Sequence, residues 1–396
     1  MESAEKDRGE FSAISLNDTA VSVTTVEDIF RYDISVTALL IIAYAVIFVM
    51  GLIGNAFVLG VVFRTPRMKT TTNYLLVNLA VADILVLLVC VPANLVGNIL
   101  LPWILGRVLC KLVAYLQSVT VCASINTLVA ISVDRYLAIC YDPLRCPLSP
   151  HLMRHIMVIW SLALCVMSPT LIYQDIHFHS DHDVAMCIAV FPSELAEQAF
   201  FISVVLSCYA IPLLLIVLSY MCIFNTVWRR SAIGENSLPQ LSRTVGSAVL
   251  QVDNQRALIQ RSKIKVVRMI CFVVVVFFVS WAPLYLLHGY ITLVGYPHKD
   301  SALGGLVFML YPVAQWLGLA NSAVNPMVYA YFNKKFRHGF VAILKSRKCC
   351  GRLRDDIVLA SRSRSSSYPL STYLTRKCTV DTNEHTQRNN IATDCL

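Results

Sequence analysis

A carboxylate in the middle of an apolar run is costly, and Asp83 lies within the run Leu75–Val91. On membrane-insertion scales a charge at such a position costs at least about 2.5 kcal/mol. Asp83 therefore calls for a proton, a cation or hydrogen-bond donors. Other apolar runs supply polar candidates: Asn55, Ser124, Asn321, Ser322 and Asn325. Together these form either a static hydrogen-bonded core or a cluster able to hold a sodium ion. A carboxylate gains most from a cation, so ion or proton binding is the expectation. A second charged group, Asp134-Arg135-Tyr136, stands at the end of another run. Its opposite charges can screen each other, and a long Arg at a helix end can swing to a new partner or simply snorkel. Pro169, Pro212, Pro283 and Pro326 interrupt further runs, and each removes a backbone hydrogen bond and permits a hinge. Bulky aromatics stand beside two of them: Phe277 and Trp281 before Pro283, and Tyr329 after Pro326. Aromatics beside hinges are candidates for two-state packing, although each alone reads as ordinary helix packing.

The elements that must position these residues are membrane helices. Of 396 residues, 57% are apolar and 14% charged, where a soluble domain is about half apolar and a quarter charged. A spanning helix needs about 20 mostly apolar residues. Seven runs qualify: 37–63, 73–101, 108–140, 153–173, 197–228, 264–293 and 304–331. The fold expected is an all-α seven-transmembrane bundle. The formal charge is +9, but the basic residues stand in short blocks between apolar runs, which speaks for a membrane and against nucleic acid. Arg64, Arg67, Lys69, Arg145, Arg154, Arg229, Arg230, Lys263, Lys265, Lys334, Lys335 and Arg337 fall on one side. The positive-inside rule then places the N-terminus outside and the C-terminus in the cytoplasm of a multi-pass plasma-membrane protein. With no apolar leader visible in the first 30 residues, the first span is expected to act as its own insertion signal.

Outside the runs, residues 1–36 read as an extracellular tail and 37–332 as the transmembrane domain. Residues 333–345 read as an amphipathic surface helix, and 346–396 as a disordered cytoplasmic tail. Residues 231–258 are polar, contain Gly, Ser, Asn and Pro, and read as a flexible loop. Asn17 heads a glycosylation sequon. Cys349 and Cys350 follow the basic amphipathic helix and are candidates for palmitoylation. Cys110 and Cys187 both face the oxidising side, where a disulfide between them is expected. His177, His179 and His182 cluster in the outer loop but lack a defined zinc geometry.

The ordered set of motifs resembles the rhodopsin-like (class A) G-protein-coupled receptors. It comprises Gly54-Asn55-Ala56, Leu79 through Asp83, Cys110, Asp134-Arg135-Tyr136, Trp160, Pro212 with Tyr220, Trp281-Ala282-Pro283, and Asn325 through Tyr329. The resemblance covers residues 37–345. It implies a receptor coupling an outer ligand to a heterotrimeric G protein, with Arg135 released from Asp134 and stabilised by Tyr220 and Tyr329. It also implies a sodium pocket of Asp83, Ser124, Asn321, Ser322 and Asn325, and a pocket-floor switch of Trp281 and Phe277. Ser280 departs from the family's usual Cys, a change expected to matter little. Lys263 departs from an acid found in some members, so a salt bridge from Arg135 to that position is excluded and basal activity follows as a hypothesis.

Gln117 stands where amine receptors of this kind carry an Asp, and the seventh run holds no Lys for a retinal Schiff base. A closer resemblance, to neuropeptide receptors of the orexin, neuropeptide FF and trissin kind, rests on several stretches: Met68 through Tyr74, Cys110-Lys111-Leu112, Tyr115 through Val119, Trp316-Leu317-Gly318, Asn321 through Pro326, and Tyr331-Phe332-Asn333. It implies that Gln117 meets the amidated end of an extracellular peptide, since a primary amide offers both donor and acceptor. Thr120, Tyr285, His288, Tyr311, Gln315 and Glu194 complete the expected ligand site. Gln315 stands where orexin-like members often have His. The outer acids Asp175, Asp181, Asp183, Glu194 and Glu197 would suit a cationic peptide. A receptor kinase and an arrestin acting on the Ser-rich tail, and membrane lipid, are the further partners expected. A non-peptide ligand, lipid or small molecule, is the alternative. A secondary transporter ranks lower, because no internal repeat appears. No constellation for an enzyme stands out.

Overall fold

The computed structural model describes residues 29–141, 151–179, 184–241, 247–295, 297–298 and 301–346. All of them lie in one compact unit, Met1–Arg354; a second unit, Asp355–Leu396, falls outside the described residues. Helix α1 spans Ile34–Arg64, α2 Thr71–Ile99 and α3 Gly106–Tyr141. Helix α4 runs Leu152–Val166 and resumes as Ser168–Tyr173 after a break at Met167, just ahead of Pro169. A two-stranded hairpin follows, β1 (Gln174–His179) and β2 (Val184–Ala189), antiparallel with Ile176 opposite Cys187. Helix α5 begins at Glu194 and extends to Leu241, α6 covers Ser247–Val294, α7 covers Ala302–Phe332, and α8 covers Lys334–Ser346.

Six of these helices are long and apolar enough to cross a membrane; α4 is the shorter one. The span limits agree with the sequence reading to within a few residues. The surface agrees with a lipid solvent: Ile42, Leu214, Val275 and Leu286 are more than half exposed. Water would disfavour such a surface, whereas hydrocarbon does not. Starts are set by local chemistry. Ser193 caps α5 by accepting from the Ala196 N–H (3.2 Å), and Ser301 caps α7 by accepting from the Gly304 N–H (3.0 Å). Gly106, at φ +76°, takes the left-handed turn that opens α3.

Prolines shape the helices more widely than the sequence reading held. Pro92 and Pro312 also lie within helices, beside Pro212, Pro283 and Pro326. In α2 and α5 a wide five-residue turn, Val86–Cys90 and Leu206–Ala210, precedes the proline. That turn absorbs the lost hydrogen bond and the ring clash one turn upstream.

The segment 231–258 corrects the sequence reading. It is helical up to Leu241 and again from Ser247, rather than a loop throughout. Gly234 and Pro239 look like breakers, but elongating a helix already nucleated by an apolar span is far cheaper than starting one. The stretch Ala248–Leu258 is also rich in good helix formers.

Helix α3 lies at the centre, packing against α2, α4, α5 and α6, while α7 packs on α6 and α1. Helix α8 folds back on α1. Phe336 is fully buried, and a Cβ on Gly339 would meet Val61 at 2.6 Å, so only glycine permits this approach.

Candidate functional site

At the hairpin end, α1, α2, α3 and α7 contribute a chain of neutral amides. Asn94 Nδ2 donates to Gln117 Oε1 (2.7 Å) and to its own helix at the Cys90 carbonyl (2.8 Å), while Asn94 Oδ1 accepts from Gln315 Nε2 (2.6 Å). Gln315 Oε1 accepts from Asn98 Nδ2 (2.7 Å), which also donates to the Tyr44 hydroxyl (2.8 Å). Asn98 and Tyr44 are buried, and Asn94, Gln117 and Gln315 are half-buried. The structure thus brings together the two predicted glutamines, joined by Asn94, which the sequence reading missed. Asn94 and Asn98 stand one helical turn apart in an apolar run, so the signal was present in the same form as that of Asp83. The Gln117 oxygen is occupied, but its Nε2 donates to no described residue.

Tyr285, His288 and Tyr311 stand on the facing halves of α6 and α7. His288 Nε2 and the Tyr311 hydroxyl share a hydrogen bond of 3.0 Å with stacked rings, and Tyr285 packs on Tyr209 and Trp281. Thr120 is buried. Its hydroxyl donates back to the Leu116 and Gln117 carbonyls of its own helix, which leaves its oxygen's lone pairs as the only polar capacity it retains. Glu194 is exposed in the first turn of α5. Among the outer acids, Asp175 is already committed. Arg107 and Lys111 pair with it, and the Ile176 N–H donates to it, holding its carboxyl below the usual carboxylate range. Glu197 accepts a long hydrogen bond from Thr292 (3.5 Å). Asp181 and Asp183 lie outside the described residues.

Beneath the amides sits Trp281, buried against Gly318, where a Cβ would meet its ring at 2.9 Å. Phe277 lies one turn below, with ring centroids 6.3 Å apart, and Pro283 follows within α6. Asn321 does not turn into the acidic cluster; its Nδ2 donates to Ser280 Oγ (3.1 Å). Ser280 therefore ties α6 to α7 and matters more than the sequence reading allowed.

Asp83 Oδ2 accepts from Asn325 Nδ2 (2.9 Å), and Ser322 is buried one turn earlier on the same helix as Asn325. Asn55 Nδ2 joins this group through the carbonyls of Ser322 (2.8 Å) and Gly51 (3.0 Å), while its Oδ1 is buried with no partner. Ser124 is buried too. The carboxylate, two hydroxyls and an orphaned amide oxygen are hard oxygen donors of the kind a small cation takes. Three of the five predicted residues, Asp83, Ser124 and Ser322, carry such oxygens beside Asn55, while Asn325 donates to the carboxylate and Asn321 stands aside.

At the α8 end, Arg135 pairs with Asp134, Nε at 3.1 Å with Nη2 on the same oxygen. Thr72 Oγ1 on α2 donates to that Asp134 oxygen as well (2.9 Å). Asp134 is buried and Arg135 nearly so, their side chains 4% and 19% exposed. Tyr136 packs edge-on against Tyr141. Ser132 Oγ and the Tyr220 hydroxyl are 3.5 Å apart, and the buried Tyr329 hydroxyl has no partner. Pro326 lies within α7 between these groups and Asn325. Thr72 and Ser132 are further residues that sequence reasoning missed, because a hydroxyl in a helix carries no periodic signal. Trp160, by contrast, donates to Asn78 Oδ1 (2.9 Å), whose amide donates to Thr127 (2.8 Å), fixing α4 to α2 and α3.

The Cys110–Cys187 disulfide is formed, with Cα atoms 5.7 Å apart, and joins α3 to β2. Asn17, Cys349, Cys350, His182 and the Ser-rich tail lie outside the described residues. Among the described residues no group of three or more His, Cys, Asp or Glu side chains forms a metal site.

Comparison with known proteins is consistent with this geometry. The family description "7 transmembrane receptor (rhodopsin family)" matches residues 54–329. Neuropeptide FF receptor 1 of Rattus norvegicus is 31% identical over 337 residues, covering 82% of this chain and 74% of that protein. The RYamide receptor of Drosophila melanogaster is 32% identical over 344 residues, covering 83% and 69%. Galanin receptor type 1 of Rattus norvegicus is 30% identical over 313 residues, covering 78% and 83%.

Proposed function

The chain belongs to the rhodopsin family of seven-transmembrane receptors, and we propose that it is a receptor for a C-terminally amidated neuropeptide that passes agonist binding to a heterotrimeric G protein. The observation that carries the ligand class is the amide chain Gln117–Asn94–Gln315–Asn98. It is neutral throughout, and Gln117 Nε2, which donates to no described residue, matches the oxygen of a terminal carboxamide. A terminal carboxamide adds N–H donors that the Gln117 and Gln315 oxygens can share. A carboxylate would bring a charge into a half-buried floor that has no cation to meet it, which burial disfavours. The names of the relatives, receptors for neuropeptide FF, RYamide and galanin, support a peptide ligand.

The relay follows from what is committed and what is spare. A ligand drawing on the amides shifts Gln315 on α7, and with it the Gly318 surface on which Trp281 rests. Trp281 can move only with α6, whose hinge is Pro283. Outward movement of α6 opens the α8 end, where Arg135 leaves Asp134 for the G protein. The hydroxyls of Tyr220 and Tyr329, weakly bound and unbound in this state, are free to support Arg135 in the next. The oxygen cluster of Asp83, Ser124, Ser322 and Asn55 would hold a sodium ion. Such an ion biases the balance only by binding one state more tightly than the other.

An N-terminus outside and a C-terminus in the cytoplasm suit the distribution of Lys and Arg. Glycosylation at Asn17, acylation at Cys349 and Cys350, and kinase and arrestin action on the tail belong to the same proposal. So does the absence of any enzymatic activity. The test is a panel of peptides made in pairs, amide-ended and acid-ended, read with G-protein biosensors. The amide form is expected to be about tenfold or more the stronger, the effect of one mismatched buried polar group. Acid-ended peptides as potent as their amides would overturn the ligand class.

A further inference from the structure

The half of α5 nearest α8 carries exposed side chains with no part in this relay. Phe224 and Trp228, one turn apart, are 59% and 66% exposed and stack with centroids 5.9 Å apart. Asn225 and Arg229 run beside them at the same spacing, and the four line an open cleft of about 410 Å3. Its depth is fixed by neighbours on α3. Cys140, five residues beyond Arg135, donates to the Cys222 carbonyl (3.7 Å) and accepts from Thr226 Oγ1 (3.2 Å). The cleft therefore stands level with the Arg135 end of the bundle, at the boundary of the apolar layer. Arg229 has no counter-ion among the described residues, and from 198 to 229 the sequence of α5 contains no Asp or Glu.

An aromatic girdle needs only rings at this depth. Here the rings share one cleft with an amide and an unneutralised guanidinium. We propose that this cleft binds one anionic glycerophospholipid of the inner leaflet. Arg229 takes the phosphate, whose oxygens fit a guanidinium fork. Asn225 donates to an ester carbonyl one turn deeper, and Phe224 and Trp228 cover the first acyl carbons. The cytoplasmic leaflet is the anionic one, and a basic residue held at it gains free energy from its surface potential.

The full-length receptor in nanodiscs of phosphatidylcholine, with and without phosphatidylserine, tests this through native mass spectrometry of retained lipid, without agonist. Failure here is thus separate from failure of the peptide reading. Wild type is expected to retain one phosphatidylserine in preference to phosphatidylcholine. Arg229→Gln should lower that occupancy about fivefold, the effect of one basic residue at an anionic surface. Arg229→Lys should keep part of it, and Trp228→Ala should lower retention of both lipids. Lys265→Gln, an exposed basic residue on α6, should change nothing. Equal retention by wild type and Arg229→Gln, equal loss with Lys265→Gln, or no preference over phosphatidylcholine would each reduce the cleft to an ordinary aromatic anchor and overturn the proposal.

Discussion

The two ends of the bundle solve opposite problems with opposite chemistry. At the hairpin end, Asn94, Asn98, Gln117 and Gln315 exchange neutral hydrogen bonds of 2.6 to 2.7 Å. At the α8 end, an ion pair, Arg135 with Asp134, holds with help from Thr72. Neutral amide bonds are directional, and each is modest in net worth. Several in series therefore discriminate by shape and by donor and acceptor order, which suits recognition. An ion pair is strong but indifferent to direction, and a rival partner can take over one member, which suits release. Between them, Trp281 against Gly318 and Asn321 on Ser280 couple α6 to α7 by contact and by a hydrogen bond.

That contrast can be broken from either end. The largest effect belongs to Arg135→Ala, which should abolish agonist-driven nucleotide exchange on the G protein while peptide affinity stays near wild type. Parallel loss of both in radioligand binding and exchange assays would show that the ends are not separable. Gln117→Ala removes a spare donor and takes from Asn94 Nδ2 one of its two acceptors, a cost of about 1–3 kcal/mol. Agonist potency should fall about tenfold or more, with the amide-over-acid preference shrinking too. A uniform loss for both peptide forms would mean that the amides support the fold rather than read the ligand. Thr72→Val takes one hydrogen bond from the Asp134 carboxylate, worth about 1.5 kcal/mol or more. Ligand-free signalling should rise severalfold at equal surface expression, and no rise would assign the resting state to the ion pair alone.

The smallest effect lies at the rim. Arg107 holds the Asp175 carboxyl below its ordinary range. A depressed folded value means that its stabilisation is fully present above the unfolded value of about 3.9 and is lost as pH falls through the folded one. The melting difference between wild type and Asp175→Asn should therefore be constant from neutral pH down to about 5 and shrink only below about 4. The pair is exposed and screened by salt, so the difference should also be small. A loss between pH 7 and 5 would point to a different titrating group.

How much could be read beforehand depended on how expensive each residue is where it sits. Asp83 announced itself because a charge in hydrocarbon needs an explanation. Asn94 and Asn98 are neutral, cost less, and passed unremarked in the same helix, although they complete the predicted glutamine site. Thr120 shows the converse. A threonine in a helix can bond back to its own carbonyls, and no pattern of residue types tells which rotamer it takes. Asp175 looked available as a free acid because its partners, Arg107 and Lys111, are more than 60 residues away in sequence.

The sequence by itself determined the spans, several of the prolines within them, the disulfide partners and the identities of the charged residues proposed as a switch. Each follows from local composition, from the side of the membrane or from a motif of adjacent residues, and none depends on distance through space. Only the tertiary structure decided which polar groups meet. It joined Gln117 to Gln315 through Asn94, turned Asn321 toward Ser280 rather than Asp83, and set Thr72 on Asp134. It also carried α5 and α6 past their apparent breakers. The physical reason is that a buried polar group must find a partner, but side-chain amides and hydroxyls have many geometrically acceptable ones. The choice among them is made by how the helices pack.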